Sequence, residues 1–198
     1  MDNHDTLTMA ERRARGMLWC DDEENMKQQV YARGLCRDFN MTRPDETEKR
    51  KQLLQKIFGS LGKDVWIEPP LTLAIGNTVT IGEGTYINSN LTLVDDYKIT
   101  IGKHVLIGPN VTISCTNHPL HYKLRPQGQT YSKEVVIEDD VWISSNVVIS
   151  AGVRIGRGSV IGVGSVVTRD IPEMTLAYGV PCKAVRKITD EDLHQFDE

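Results

Sequence analysis

No stretch of this sequence is apolar for long enough to span a membrane, and residues 1–8 are polar rather than signal-like. Paired cysteines are also missing. Cys20, Cys36, Cys115 and Cys182 lie scattered, with no C-x-x-C spacing, which fits reduced thiols in a cytoplasmic protein. There is no excess of positive charge: 23 Lys and Arg stand against 27 Asp and Glu, a net charge of −4 that gives no nucleic-acid surface. Aromatic residues make up only 6% of the 198 residues, a length that suits one domain plus an appendage.

What the sequence does have is a period of six. Ile75, Ile81, Ile87 and Leu93 are spaced by six, as are Ile101, Ile107 and Ile113, with one step two residues longer between Leu93 and Ile101. The marks resume at Ile137, Ile143, Ile149, Ile155, Ile161 and Val167. Four places after most marks comes a second column of small or β-branched residues, among them Val79, Thr85, Val105, Val141, Val147, Ser159 and Ser165. Neither a helix nor a lone strand has this period, but a hexapeptide β-helix does. Each hexad is a short strand plus its turn, and three hexads, about 18 residues, make a triangular coil. Coils stack about 4.8 Å apart through parallel ladders. The glycines after the aliphatic marks, such as Gly82, Gly102 and Gly156, are expected to supply positive φ at the corners.

The remainder divides around this array. Residues 1–60 are charged and helical in signal, 61–188 carry the β-helix with an inserted loop at 115–135, and 189–198 form a tail with a short helix. Thr8 and Glu11 make a capping box for a helix through Met17, with Gly16 near its end. A second helix is expected over 23–39, with Met26, Val30, Leu35 and Phe39 on its apolar side. Pro44 opens a third, whose stripe is Leu53, Leu54, Ile57 and Phe58 and whose end is Gly59. These helices need cover and are expected to pack on a side or end of the β-helix. Pro69-Pro70 is expected to break the first coil, and Pro109 to take a corner.

The loop is polar and irregular within a monotonous array, which marks the working face. It contains His118, followed by a proline that restricts the backbone, and His121. A histidine there is either a general base or a structural imidazole bonded to a carbonyl. Asn88, Asn90, Asp95 and Asp96 fall where the register slips; they line a site for a hydroxylated ligand or satisfy corner backbone. Trp142 and Ser145 with Lys183 and Arg186 bound a groove suited to a long ligand with a phosphorylated end, or the cations form a solvated tail.

Several motifs then carry a resemblance. They are Arg15-Gly16-Met17-Leu18-Trp19 with Asp21, Asn88-Ser89-Asn90 with Val94-Asp95-Asp96-Tyr97, Asn117-His118-Pro119-Leu120-His121, and Gly179-Val180-Pro181-Cys182-Lys183. Together they resemble the hexapeptide-repeat sugar O-acetyltransferases of the galactoside and maltose acetyltransferase group, over about residues 8 to 188. The resemblance implies a mainly β protein with a left-handed parallel β-helix, an exception to right-handed crossovers. It also implies a homotrimer with active sites between subunits, acetyl-CoA as co-substrate and no required metal. By it, His118 is the general base, and Asp21, Asn88 and Asp96 contact the acceptor. Trp142, Ser145, Val163, Thr168, Arg169, Lys183 and Arg186 line the coenzyme path, and the Ser145 N–H meets the oxyanion. Ala74 and Thr130 depart from the serine and methionine of the galactoside enzyme, which leaves the sugar open.

The reading is an acetyl-CoA-dependent O-acetyltransferase acting on a galactoside, maltose or glucose hydroxyl, with no nucleic-acid or membrane partner. Two rivals remain. One is a zinc β-helix enzyme of carbonic-anhydrase type using His104, His118 and His121, and the other is a non-catalytic β-helix scaffold.

Overall fold

The computed structural model describes residues 7–194; positions 1–6 of the polar start and 195–198 of the tail lie outside the described residues. Helix α1, Met9–Ala14, opens on the expected capping box between Thr8 and Glu11. It stops three residues before the expected end, and Gly16 follows at φ 67°. Helix α2, Glu23–Asn40, is capped by the Asp22 side chain, which accepts from the Asn25 N–H. Its buried side is Asn25, Ala32, Cys36 and Phe39. Met26 and Val30 were expected there and instead face solvent, because a 3.6-residue turn aligns them away from Phe39. Helix α3, Thr47–Ile57, begins three residues after Pro44 and buries Leu54 and Ile57, followed by Phe58. Gly59 closes nothing by a left-handed turn. A Cβ there would lie 2.1 Å from the Asn77 carbonyl oxygen, so the position is a close approach of two backbones.

From Ser60 the chain winds through three faces of a triangular prism. The first face stacks Ser60–Leu61, Val79–Ile81, Ile99–Ile101, Val135–Ile137 and Arg154–Ile155, all parallel. The second runs Trp66–Ile67, Tyr86–Ile87, Leu106–Ile107, Trp142–Ile143, Val160–Ile161 and Thr175–Tyr178. The third runs Leu71–Thr72, Leu91–Val94, Thr112–Ser114, Val148–Ile149 and Val166–Val167. The parallel β-helix read from the hexads is therefore the architecture. The aliphatic marks fill its axis: Ile87, Ile107, Ile113, Ile137, Ile143 and Ile155 are almost wholly buried. Each such side chain contributes about 1.5–3 kcal/mol. Thr85, Ser159 and Ser165 stand in the small-residue column without harm. Each hydroxyl donates to a carbonyl and accepts a backbone N–H.

Three expectations about the coil change. Below the loop a coil is twenty residues long, since Ser60 pairs with Thr80 and Thr80 with Thr100. The eighteen-residue coil holds above it, where Val136 pairs with Arg154. The extra pair of residues sits at the third-to-first corner of both lower coils, so Ile75 lies in a widened turn and the face position belongs to Leu73. Pro69-Pro70 does not break the first coil; it forms a second-to-third corner, with Asn90, Asn110, Asn146 and Gly164 successively stacked above it. Finally, among the glycines that follow aliphatic marks, Gly82, Gly102, Gly108, Gly156 and Gly162 do not have positive φ. They are there for stacking: a Cβ on Gly82 would lie 2.5 Å from the Gly102 carbonyl carbon. Positive φ falls instead on corner residues such as His104, Asn110 and Asp140. Gly82→Ala is expected to cost about 1–3 kcal/mol in urea unfolding, because backbone cannot step aside as a side chain can.

Both ends of the prism are covered. Helices α2 and α3 lie over the first coil, and Asn40 closes the lowest strand of the third face by donating to the Leu71 carbonyl and accepting its N–H. At the other end Lys183–Lys187 pairs antiparallel with Thr175–Tyr178, a strand the sequence read only as a basic cluster. The short 3-10 helix Asp190–His194 follows. Among the described residues no helix is long and apolar enough to cross a membrane.

Candidate active site

The loop leaves the third face at Cys115 and returns by Lys133, whose N–H donates to the Cys115 carbonyl. Its two sides pair as an antiparallel hairpin, Thr116–Asn117 with Tyr131–Ser132, and its tip is the 3-10 helix Tyr122–Gln127. His118 follows the outgoing strand, and its Nδ1 lies 3.0 Å from the Gln129 carbonyl oxygen. A carbonyl only accepts, so Nδ1 carries a proton, and in the neutral ring the lone pair is left on Nε2. The structural reading and the basic reading of this histidine are thus compatible. The bond to the carbonyl fixes the tautomer that a base requires.

The N-terminal segment is sewn onto this hairpin. Trp19 and Thr130 exchange backbone hydrogen bonds of 2.9 Å in both directions, and the Trp19 indole donates to Ser132. Arg13 stacks over the Trp19 ring at 4.0 Å and donates to Asn25. Asn25 in turn donates to Asp21, as does Gln29. Asp21, two residues past Trp19, is thereby placed in a cleft of about 540 Å³ with His118 and Asp96. Ala74 and Thr130, the two positions expected to bear on the choice of sugar, line the same cleft. Gln29 and Arg33 of α2 also line it and were not singled out in the sequence. Their signal was available: Asn25, Gln29 and Arg33 recur every four residues along one side of a helix that starts beside Asp21.

Asp95 and Asp96 are neighbours with different tasks. Asp95 is fully buried and accepts from the N–H groups of Ala74, Ile75 and Gly76 and from the Thr78 hydroxyl, holding the widened corner of the coil below. Asp96 faces the cleft. Burial, and then the charges of Asp21 and Asp95, push its carboxyl above the ordinary value of 3.8, while the Thr116 hydroxyl and Arg13 pull the other way. A raised carboxyl opposes folding once ionised, so the penalty grows as pH rises above 3.8 and vanishes below it. Asp96→Asn is therefore expected to raise the melting temperature at neutral pH, with the gain shrinking in acid. Thermal scans at several pH values check this.

The remaining expected residues lie elsewhere on the prism. Asn88, Ser145 and Val163 are at the second-to-third corner, with exposed Trp142 beside them on the second face. The Asn88 side chain accepts the Ser89 N–H, so part of its capacity is spent on the corner itself. Gly108 lets the coil below approach the Ser145 backbone, since a Cβ there would meet the Ser145 nitrogen at 2.9 Å. Thr168 and Arg169 follow Val166–Val167 towards the third-to-first corner. Lys183 and Arg186 are exposed on the final antiparallel strand, and Arg186 is held by both oxygens of Asp192 at 2.8 and 2.6 Å. One chain thus gathers His118, Asp21 and Asp96 at one corner and holds Asn88, Ser145 and Val163 at another.

Two buried thiols are quiet: burial pushes Cys36 up to about 11 and Cys115 up to about 12. The three histidines of the zinc reading are not brought together within the chain. His104 sits at the first-to-second corner beside Asp140, and His121 accepts the Lys123 N–H and stacks on Tyr122. Among the described residues no three His, Cys, Asp or Glu side chains form a group able to hold a metal ion.

Comparison with known proteins matches two family models. Residues 12–62 match the maltose acetyltransferase hexapeptide capping motif, and residues 134–169 the bacterial transferase hexapeptide of six repeats. Galactoside O-acetyltransferase of Escherichia coli strain K12 is 46% identical over 96% of this chain and 94% of its own. Among solved structures, a galactoside acetyltransferase in complex with coenzyme A superposes with a TM-score of 0.94 at 44% identity, covering 98% of this chain and 97% of that one. A hexapeptide-repeat acetyltransferase of Vibrio cholerae O1 biovar eltor, complexed with acetyl coenzyme A, gives 0.85 at 38% identity over 93% of this chain and all of that one. The winding shared with such proteins is left-handed.

Proposed function

Since the chain belongs to the hexapeptide-repeat galactoside and maltose O-acetyltransferases, and so is an acyltransferase, we propose that it moves the acetyl group of acetyl-CoA to a sugar hydroxyl with His118 as general base. One observation carries the assignment of the base. The Gln129 carbonyl holds Nδ1 as the donor, which makes Nε2 the basic nitrogen of the neutral ring, in a cleft that also holds Asp21 and Asp96.

The chemistry follows from those parts. Nε2 removes the proton from the acceptor hydroxyl as its oxygen attacks the thioester carbonyl. The tetrahedral oxyanion is met by the Ser145 N–H, an outward corner amide. Collapse expels the coenzyme A thiolate, which recovers the proton from the imidazolium. Both substrates are bound together, so no acyl-enzyme forms. Asp21 and Asp96 accept from other hydroxyls of the ring, and Asn88 offers its amide from the second-to-third corner. Trp142, Ser145, Val163, Thr168, Arg169, Lys183 and Arg186 line the coenzyme path. Since His118 and Ser145 occupy different corners, the site is completed by a neighbouring chain, and a homotrimer gives three equal sites. Arg186 reaches a phosphate only by exchanging it for the Asp192 carboxylate.

The acceptor is a galactoside, glucose or maltose hydroxyl. Small Ala74 and Thr130 leave more room over the ring than a serine and a methionine would, which favours a bulkier or differently substituted sugar. The test is thiol release from acetyl-CoA by purified protein across a sugar panel. Release stimulated by at least one hexose or galactoside supports the reading. Release that no sugar stimulates removes it.

A further inference from the structure

The cleft that holds His118 climbs three rungs of the third face, since Thr72 pairs with Thr92 and Thr92 with Thr112. Thr116 and His118 follow the top rung, while Thr72, with Arg33 of α2, lines the bottom one. Two strand spacings, about 10 Å, separate these ends. A ring with one hydroxyl at His118 and others on Asp21 and Asp96 therefore leaves the lower end unfilled. That end does not close. Arg33, Thr72 and Leu73 also line a second groove, of about 300 Å³, which continues along α2 past Arg37 and Asn40 to Met41.

Charge changes sign along this path. The cleft holds Asp21 and Asp96, whereas among the described residues no acid lines the groove and Arg33 and Arg37 do. The two arginines are four residues apart, so they lie on one side of α2, and both are exposed. Arg33 donates to the neutral side chain of Gln29 at 3.3 Å, and the Arg37 side chain has no hydrogen-bond or ion-pair partner among the described residues. Like charges at this spacing repel, and an anion shared between them removes that cost. The other polar groups of the groove are occupied: the Asn40 amide and the Cys36 thiol are both spent on Leu71. The guanidiniums are thus the groups left open to a ligand.

We propose that the groove extends the acceptor cleft and takes a carboxylate or phosphate carried by the acceptor away from the hydroxyl that is acetylated. The inference rests on the acceptor reading of the His118 cleft and narrows it: the favoured acceptor is an anionic glycoside or a sugar phosphate. The forks of Arg33 and Arg37 meet the anion's oxygens, and exposed Met41 flanks the group that links it to the ring.

The test compares near-isosteric acceptors that differ in charge. The 4-carboxyphenyl and 4-nitrophenyl β-D-galactosides, the matching glucosides, and the two hexose 1-phosphates are assayed by thiol release from acetyl-CoA at low and high salt. The kcat/KM is expected to be about tenfold higher for the carboxyphenyl than for the nitrophenyl glycoside, through KM, and the gain should shrink with salt. In Arg37→Gln the gain is expected to vanish while the nitrophenyl glycoside reacts as before. In Arg37→Glu the anionic glycoside should become the poorer of the two. A gain confined to the sugar phosphates supports the site and names phosphate as its anion. Equal kcat/KM for anionic and neutral acceptors, or a gain that survives Arg37→Gln, would overturn the proposal and leave acetyl transfer to neutral sugars standing. If no acceptor of either charge stimulates release, the acceptor reading falls together with it.

Discussion

His118→Ala is expected to lower the rate of acetyl transfer by about 10²- to 10⁴-fold, the usual contribution of a positioned general base. The affinity for acetyl-CoA should change little, because the imidazole shares its cleft with Asp21 and Asp96, the residues proposed to hold the acceptor. His118→Gln should be equally slow, since an amide can take the bond to Gln129 but cannot accept a proton. Stopped-time thiol assays measure all of this. Undiminished release in His118→Ala would remove His118 from the chemistry.

The largest expected loss of stability is at Asp95→Asn, with a cost of at least about 3 kcal/mol. The carboxylate uses both oxygens: one accepts from Ala74 and Ile75, the other from Gly76 and Thr78. An amide keeps only one acceptor. Its NH₂ would face the Gly76 N–H, donor against donor, in a place with no exposed surface. Because Ala74 and the neighbouring Asp96 line the cleft proposed to take the acceptor, the KM for the sugar should rise as well. Urea unfolding with an unchanged denaturant slope is the check. A midpoint equal to wild type would mean that the carboxylate does not hold the corner.

The two aspartates also show what a sequence can and cannot reveal. Both stood out because acids are poor strand formers, and both were read together as site or corner. Extended backbone turns successive side chains to opposite sides, so Asp95 is sealed under the coil while Asp96 opens to the cleft. Choosing between them required knowing that the coil below has the same longer corner, whose N–H groups Asp95 accepts. The longer step after Leu93 was visible, but the one below was hidden because Leu73 and Ile75 are both apolar, and either can serve as the inward mark. The hexads themselves were legible because burial repeats at every face with little tolerance for a polar residue. The loop that carries His118 was legible because a lone irregular stretch interrupts them. The link from Trp19 to Thr130 was not, since it joins backbones 111 residues apart and backbone pairing leaves no side-chain signature. The antiparallel Lys183–Lys187 strand was missed for a related reason: all five side chains are exposed, so no alternation marks it.

A stack of parallel rungs is in principle open-ended, since each terminal rung offers unpaired N–H and C=O groups that another molecule can extend. Here the lowest rung of the third face has its Leu71 groups taken by the Asn40 side chain, and the last rung of the second face is met by a strand running the wrong way for further growth. These two stoppers keep the protein from polymerising into fibres along its own axis. Replacing Asn40 by alanine should therefore reveal itself first as filament formation on storage, before any change in catalysis is noticed.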